Sequence, residues 1–256
     1  MKILAVDIGT GTQDILLFDS EKAVENSVQM VMPAPTVIAA RRVRNATTSL
    51  LPLILTGTNM GGGPVTEAVL EHLGAGLPVY GTAAAVVTFD DDPAVIRDMG
   101  IEIISEDEAI RLRGSHVVLQ DLDLDMVRRA VSEFQVIPDW DILAVAVFDH
   151  GNAPPKYSDR KFRFDYLRQH LLDGRSDVMS FVHLSSEVPY YLTRMLAVVE
   201  TVAGQVPLLL TDTAQAAILG SLEDSHVMAQ QCKVVVNLGN EHTLAYHLHG
   251  DTILGM

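Results

Sequence analysis

The sequence predicts an α/β protein, and three observations support this class. Short apolar runs bounded by Gly, Asp or Asn have the length of buried strands. Segments with helical periodicity lie between these runs. The chain has 256 residues, of which 48% are apolar, so it can form a sizeable core. Strands that alternate with helices indicate a largely parallel sheet, in one large domain or two modest ones.

The predicted strands are apolar runs with turn residues at both ends. In chain order they are Ile3–Val6, Ile15–Phe18, Leu53–Leu55, Val79–Tyr80, Val117–Leu119, Ile142–Phe148, Leu208–Leu210 and Val234–Val236.

The predicted helices lie between these strands, at Pro64–Leu73, Asp123–Phe134, Phe162–Leu172, Tyr190–Val202 and Ala214–Leu222. The first has good terminal signals, because Pro favours the first helical position and Gly74 follows the last. The segment Gly151–Arg160 contains two prolines and predicts a loop.

Composition excludes several classes of protein. With 18 basic and 33 acidic residues the formal charge is −15, which argues against nucleic acid and against a basic membrane-surface protein. A single cysteine, Cys232, excludes an intrachain disulfide and a cysteine-built zinc or iron–sulfur site. No apolar run has the length of a membrane span, and the N-terminus lacks signal-peptide character. We therefore expect a soluble, cytoplasmic protein.

The sharpest motif is Asp7-Ile8-Gly9-Thr10-Gly11-Thr12. A hairpin turn of Gly and Thr exposes backbone N–H groups and hydroxyls, which bind phosphate oxygens. An Asp at the end of the preceding strand can hold Mg²⁺. An ordinary Gly-rich hairpin is the alternative interpretation.

A similar pattern recurs near the end of the chain. An apolar run is followed by Asn237, Gly239 and Thr243, in a second strand–turn–strand unit. Two such units, about one domain apart, suggest two related domains.

On these two motifs the chain resembles the superfamily of actin, sugar kinases and heat-shock chaperone ATPases. The resemblance implies ribonuclease-H-like domains with a mixed sheet, and ATP with Mg²⁺ between them. Residues 1–225 would form the first domain, with insertions, and residues 226–256 would begin an incomplete second one. The nucleotide-binding residues would be Gly9, Thr10, Gly11, Thr12, Asn237, Gly239 and Thr243, with Asp7 organising Mg²⁺.

A third segment, 210–220, is similar to the one that carries the catalytic base in bacterial glucokinase-like sugar kinases. That similarity implies Asp212 as the base, and a strand end is a suitable place for it. The alternative role of Asp212 is to cap the following helix.

The chain also departs from the superfamily. Gln13-Asp14 stands where sugar kinases usually carry Lys or Arg, and Glu241-His242 stands where Gly and Thr are commoner. The sequence also stops before the Gly-rich adenosine-binding segment. We therefore expect weak binding of ATP, and we expect residues 229–256 to be poorly ordered or to pair with another copy.

A closer resemblance rests on Thr56–Pro64, together with the two turn motifs. These segments resemble a prokaryotic family labelled as pyruvate formate-lyase activating enzyme. A radical S-adenosylmethionine activase needs three cysteines on a [4Fe–4S] cluster, so the one cysteine excludes that activity for this polypeptide.

Two further segments are candidates for substrate binding. Asn59, Gly61, Gly62 and Gly63 follow a strand and open a helix, whose N-terminus favours anions. Asp149 and His150 follow the longest strand, at the sheet edge where α/β proteins place ligands. A tight turn and a polar loop are the structural alternatives.

Two functional hypotheses follow from the sequence. The first is an ATP- and Mg²⁺-binding protein that acts as a kinase or as an ATP-driven activator of another enzyme. The second is a non-catalytic nucleotide- or small-molecule-binding protein of the same fold. The expected partner is a small-molecule substrate or a client enzyme, with no nucleic acid and no membrane, and a homo-oligomer is left open.

Overall fold

A computed structural model describes residues 1–154, 156–202, 204, 206–239 and 243–256. Its strands are β1 (Lys2–Ile8), β2 (Thr12–Asp19), β3 (Val28–Pro33), β4 (Leu53–Gly57), β5 (Val79–Thr82), β6 (Ile101–Ile104), β7 (Ser115–Leu119), β8 (Ile142–Val147), β9 (His183–Leu184), β10 (Leu208–Thr211), β11 (Cys232–Leu238), β12 (Thr243–His249) and β13 (Thr252–Gly255).

The helices are α1 (Pro35–Thr48), α2 (Pro64–Gly74), α3 (Ala83–Val86), α4 (Pro93–Asp98), α5 (Glu106–Arg111), α6 (Leu124–Glu133), α7 (Asp159–Leu172), α8 (Thr193–Val202), α9 (Thr213–Leu222) and α10 (Ser225–Met228), with 3-10 turns at Val24–Asn26 and Val178–Phe181. Each strand and each helix that the sequence predicts is present, which confirms those predictions and the α/β class.

Sheet A has the strand order β3-β2-β1-β8-β10-β9 within the described chain. β1 pairs antiparallel with β2 and parallel with β8, so the sheet is mixed, as predicted. The predicted pairing of Ile3–Val6 with Ile15–Phe18 is confirmed, and the same register sets Asp7 opposite Asp14.

The first core covers one face of sheet A. Alternate residues of β1 and β8, such as Leu4, Val6 and Val145, are buried there because a strand points every second side chain to the same face. Apolar residues of α8, including Met195 and Val198, complete this core.

Sheet B is inserted between β3 and β8 and has the order β6-β5-β4-β7, with all strands parallel. Helices α1 and α2 pack against each other beside it, and Ala40, Val43, Val65 and Val69 are buried in its core. Three arginines of α1, Arg41, Arg42 and Arg44, are exposed.

Sheet C consists of β11, β12 and β13, all antiparallel. Its inner face packs on α7 and α9, and Leu244, Tyr246, Leu248 and Ile253 are buried there. The described residues of 229–256 form a folded sheet, so the expectation of poor order is wrong for them, and pairing with another copy stays a prediction. A third strand and a shared core stabilise the hairpin, which would be marginal alone. The division at residue 225 stays a prediction.

In the described segments, no helix has the length and apolar character needed to cross a membrane.

Candidate functional site

The candidate site lies where the carboxyl ends of sheets A and B converge. β1 leads into the turn at Gly9–Gly11, and β4 leads into the loop Thr58–Gly63. A Cβ atom built on Gly63 would lie 3.2 Å from Cγ2 of Thr10, so the two segments are in contact. Carboxyl ends of strands are where α/β sheets place ligands.

Backbone hydrogen bonds hold the β1–β2 turn in place. The amide of Gly9 donates to the carbonyl of Thr12 over 2.9 Å, and the carbonyl of Gly11 accepts from the amide of Ala34 over 3.0 Å. Among the described residues, the amides of Thr10 and Gly11 have no hydrogen-bond partner. The turn is therefore fixed in shape and has donors to spare for an anion.

Asp7 lies two residues before this turn and is half-buried. Its Oδ1 accepts a hydrogen bond of 2.8 Å from the hydroxyl of Thr213, the first residue of α9. Burial raises the pKa of Asp7, the Thr213 hydroxyl opposes this, and the charges of Asp14 and Asp212 add to the rise. A bound cation would offset these unfavourable contributions.

The Gly loop, residues 59–63, is tied down on both sides. The amide of Gly61 donates to Oδ1 of Asp121 over 3.1 Å, and the carbonyl of Gly62 accepts from the Thr36 hydroxyl. Gly63 caps α2 with φ 46°, which favours glycine. In the part of the chain that the structure describes, the amides of Gly62 and Gly63 donate no hydrogen bond.

Asp212 lies at the end of β10 and is buried. Its Oδ2 accepts from Nη1 of Arg163 over 2.7 Å, and its Oδ1 accepts from Nη2 over 2.9 Å. The amides of Ala214 and Asp149 donate to the remaining lone pairs. Asp212 therefore caps α9, the alternative that the sequence left open, and its carboxylate is fully engaged. Its role as a base stays a prediction.

Asp149 is also buried, like Asp212, and backbone amides donate to both oxygens of its carboxylate. Its Oδ1 accepts from the amide of Gly151 over 2.8 Å, and its Oδ2 accepts from the amide of Met195 over 2.9 Å, in the first turn of α8. Burial raises its pKa, and these two amides oppose the rise. The next residue, His150, is exposed, and its Nδ1 lies 2.7 Å from the carbonyl of Gly151.

Asn59 bridges the Gly loop to α8, since its Nδ2 donates to Oγ1 of Thr193 over 3.2 Å. The structure thus brings together the Gly loop, Asp7 and the turn Gly9–Thr12. Burial raises the pKa of Asp91, and the nearby His150 opposes this rise.

The second predicted turn follows β11. Asn237 is on the same face of β11 as Val235, the face that packs on α9, whereas Gly239 and Thr243 are exposed. Residues 240–242, which include Glu241 and His242, lie outside the described residues. Between this turn's described residues and the β1–β2 turn there is no hydrogen bond. The two-turn clamp stays a prediction.

Sequence reasoning missed the hydrogen-bonding partners of the site: the charged residues Asp121, Arg163 and Arg194, and the hydroxyl of Thr213. Asp121 had a weak signal, because it follows an apolar strand. The arginines had none, because their partners are distant in sequence. The described residues contain no group of three or more His, Cys, Asp or Glu side chains placed to hold a metal ion.

The fold and the site define a class: an α/β protein in which two sheets meet at their carboxyl ends, around a Gly-rich turn and a half-buried carboxylate. The chain belongs to the DUF1786 family, described as "Putative pyruvate format-lyase activating enzyme", whose model matches residues 60–256. The β1–β2 turn precedes the matched region. A search of curated proteins finds no match.

Proposed function

We propose that this protein binds the phosphate groups of a nucleotide, with Mg²⁺, where the β1–β2 turn meets the Gly loop. The carrying observation is the contact between Gly63 and Thr10. This contact brings two pairs of backbone amides close together, those of Thr10 and Gly11 and those of Gly62 and Gly63. In the described chain, none of these four amides has a hydrogen-bond partner. Backbone nests and helix N-termini both favour anions.

Asp7 supplies the carboxylate for Mg²⁺ in this proposal. Magnesium is usually bound through one or two carboxylates, water and substrate phosphates. Asp7 ends the strand before the phosphate turn, and its pKa is raised by burial, so a cation stabilises its charged form.

The fold supports an actin-like assignment. Sheet A joins three antiparallel strands, β3, β2 and β1, to the parallel strands β8 and β10. This arrangement is that expected of a ribonuclease-H-like domain. Sheet C then begins the second domain, and Asn237, Gly239 and Thr243 contribute the second clamp in this proposal.

In this proposal, nucleotide binding changes the conformation of the protein, and the protein in its new conformation acts on a client enzyme. The family's description refers to an activating enzyme. Radical activation is not proposed, since the sequence holds one cysteine and the cluster needs three. A nucleotide bound between two domains can instead shift their equilibrium, by as much as its affinities for the two states differ.

The second candidate is a non-catalytic binding protein, and a specific observation favours it over a sugar kinase. Asp212 is paired with Arg163 and accepts hydrogen bonds from the amides of Asp149 and Ala214, so its lone pairs are occupied. Asp14 is opposite Asp7, where sugar kinases carry a basic side chain that stabilises the transferring phosphoryl group.

Calorimetric titration with ATP, with and without Mg²⁺, tests the proposal. Thr10→Asp places a carboxylate in the turn, and we expect it to weaken binding of Mg²⁺-ATP at least tenfold by charge repulsion. Thr252→Asp makes the same change at an exposed position of β13 and serves as the control. Equal affinities of the parent and Thr10→Asp would overturn the proposal. Phosphate release from ATP would separate the ATP-driven activator from the non-catalytic candidate.

A further inference from the structure

A buried ion pair joins the two sheets next to the Gly loop. Nε of Arg194, on α8, donates to Oδ2 of Asp121 over 2.6 Å, and Nη2 donates to Oδ1 over 2.9 Å. Asp121 follows β7 of sheet B, whereas α8 packs on sheet A. The side chains are 14% and 1% exposed, so the pair is shielded from water and from salt.

The same two side chains fix the position of the Gly loop. The Asp121 carboxylate accepts the amide of Gly61 over 3.1 Å, and Nη1 of Arg194 donates to the carbonyl of Phe148 over 2.6 Å, at the end of β8. The guanidinium lies against Gly61, where an added Cβ would be 2.7 Å from Nη2 and 3.0 Å from Cζ. A side chain at position 61 would therefore displace the guanidinium of Arg194.

Neither side chain donates to the open side of the site. All the hydrogen bonds of Arg194 go to Asp121 and Phe148, and Asp121 accepts from Arg194 and Gly61, within the described chain. Their influence on a ligand passes through the backbone of the Gly loop. They are thus placed to position other groups rather than to contact the ligand.

We propose that Arg194 and Asp121 are positioning residues, which hold the Gly loop against Thr10 so that the amides of Gly62 and Gly63 reach the anion held by the β1–β2 turn. This inference rests on the proposed function. In this proposal, the loop that follows β4 makes the inserted sheet B part of the ligand site. A displacement of the loop by a few tenths of an ångström weakens its two donors and leaves those of the turn in place.

Gly61→Ala is the sharpest variant, because it displaces the guanidinium from the loop and keeps both charges of the ion pair. Gly74→Ala is the matched control. It makes the same change at the other end of α2, where an added Cβ meets nothing within 4 Å. Arg194→Lys is a second variant, which keeps the charge and loses the two-pronged contact with Asp121.

The experiment is a titration of ¹⁵N-labelled full chain with inorganic phosphate and then with Mg²⁺-ATP. In the parent and in Gly74→Ala, we expect the amide resonances of Thr10, Gly11, Gly62 and Gly63 to shift with one common Kd. In Gly61→Ala and Arg194→Lys, we expect the shifts of Gly62 and Gly63 to fall at least twofold and the Kd to rise about tenfold. The resonances of Thr10 and Gly11 still respond. A purely structural role would not produce this selective loss.

The outcomes separate the two ideas. If all four resonances of Gly61→Ala and Arg194→Lys shift as in the parent, with unchanged Kd, the positioning role is wrong and the proposed function stands. If the parent shows no shift at Thr10 and Gly11 with either probe, the proposed function is wrong, and the positioning role is lost with it.

Discussion

Arg163 and Asp212 form a buried two-pronged ion pair at the N-terminus of α9. The guanidinium reaches both carboxylate oxygens, over 2.7 and 2.9 Å, and it also lies 4.2 Å from the centre of the Phe148 ring. Burial alone would lower the pKa of Arg163, but the Asp212 carboxylate more than offsets this, and the pKa is raised. The guanidinium therefore stays charged, and its burial depends on the Asp212 carboxylate.

We expect Asp212→Ala to destabilise the protein by about 3–5 kcal/mol, because it leaves a buried guanidinium unpaired. Asp123→Ala is the control, since Asp123 caps α6 through the amide of Met126 and, within the described chain, forms no ion pair with a buried arginine. Its loss should cost about 1 kcal/mol. Urea denaturation measures both. Equal losses would mean that Asp212 is only a cap, and an intact fold with Asp212→Ala would restore its candidacy as a catalytic base.

Asp7 should make Mg²⁺-dependent nucleotide binding sensitive to pH. The cation needs the carboxylate, and the pKa of Asp7 is raised by burial, so we expect affinity to fall as pH drops through that raised pKa. Asp7→Asn should fold and lose the Mg²⁺ dependence.

Asp14→Asn is the matched change on the partner strand. Because the Asp14 charge contributes to the raised pKa of Asp7, its removal should keep binding and move the affinity midpoint to lower pH. Calorimetry across pH 4–7 tests both variants. If Asp7→Asn binds Mg²⁺-ATP like the parent, Asp7 does not organise the metal.

The strands and helices that the sequence predicted are present, because their signals are local. Runs such as Ile142–Phe148 are apolar and bounded by turn residues, and Pro64 marks the start of α2. It did not separate sheet A from sheet B, because a buried parallel strand reads the same in either sheet. Helix α1 was missed because its β-branched residues, such as Val37, Ile38 and Val43, have a low helix propensity.

The candidate site, like the fold, has parts that the sequence predicted and parts that it did not. The turn at Gly9–Thr12 and the Gly loop carry recognisable patterns, and the structure places them in contact. Arg163 is 49 residues from Asp212 in sequence, and Arg194 is 73 residues from Asp121. Partners at such separations leave no local pattern, and a buried arginine looks like a surface one until its partner is known.

His72 should make stability depend on pH. It is fully buried in α2, and its Nδ1 lies 2.8 Å from the Thr47 hydroxyl, which itself donates to the carbonyl of Val43. Burial lowers the pKa of His72, so below about pH 6.5 the unfolded chain binds a proton that the folded one does not.

The consequence is a stability that falls as pH drops below about 6.5, through the range between the unfolded and the folded pKa. His72→Gln keeps a donor for Thr47 and removes the titration, so its denaturation midpoint should vary less between pH 5 and pH 7. Parallel pH profiles of the parent and the variant would contradict the assignment.

Sheet C provides the last test, because it was expected to be poorly ordered. Tyr246 is fully buried between β12 and α9, and its hydroxyl has no hydrogen-bond partner in the described chain. Tyr246→Ala should cost about 3–5 kcal/mol, as for other large buried side chains. Tyr246→Phe should be nearly neutral, because no hydrogen bond is lost. Val236→Ala, at a side chain that is 49% exposed, should change stability by less than about 0.5 kcal/mol.

Hydrogen exchange completes the test: the amides of β12 should exchange only by global opening if the sheet shares a core with α7 and α9. Rapid exchange across Thr243–His249 in a monomer, or a small effect of Tyr246→Ala, would show that sheet C is not part of the cooperative core.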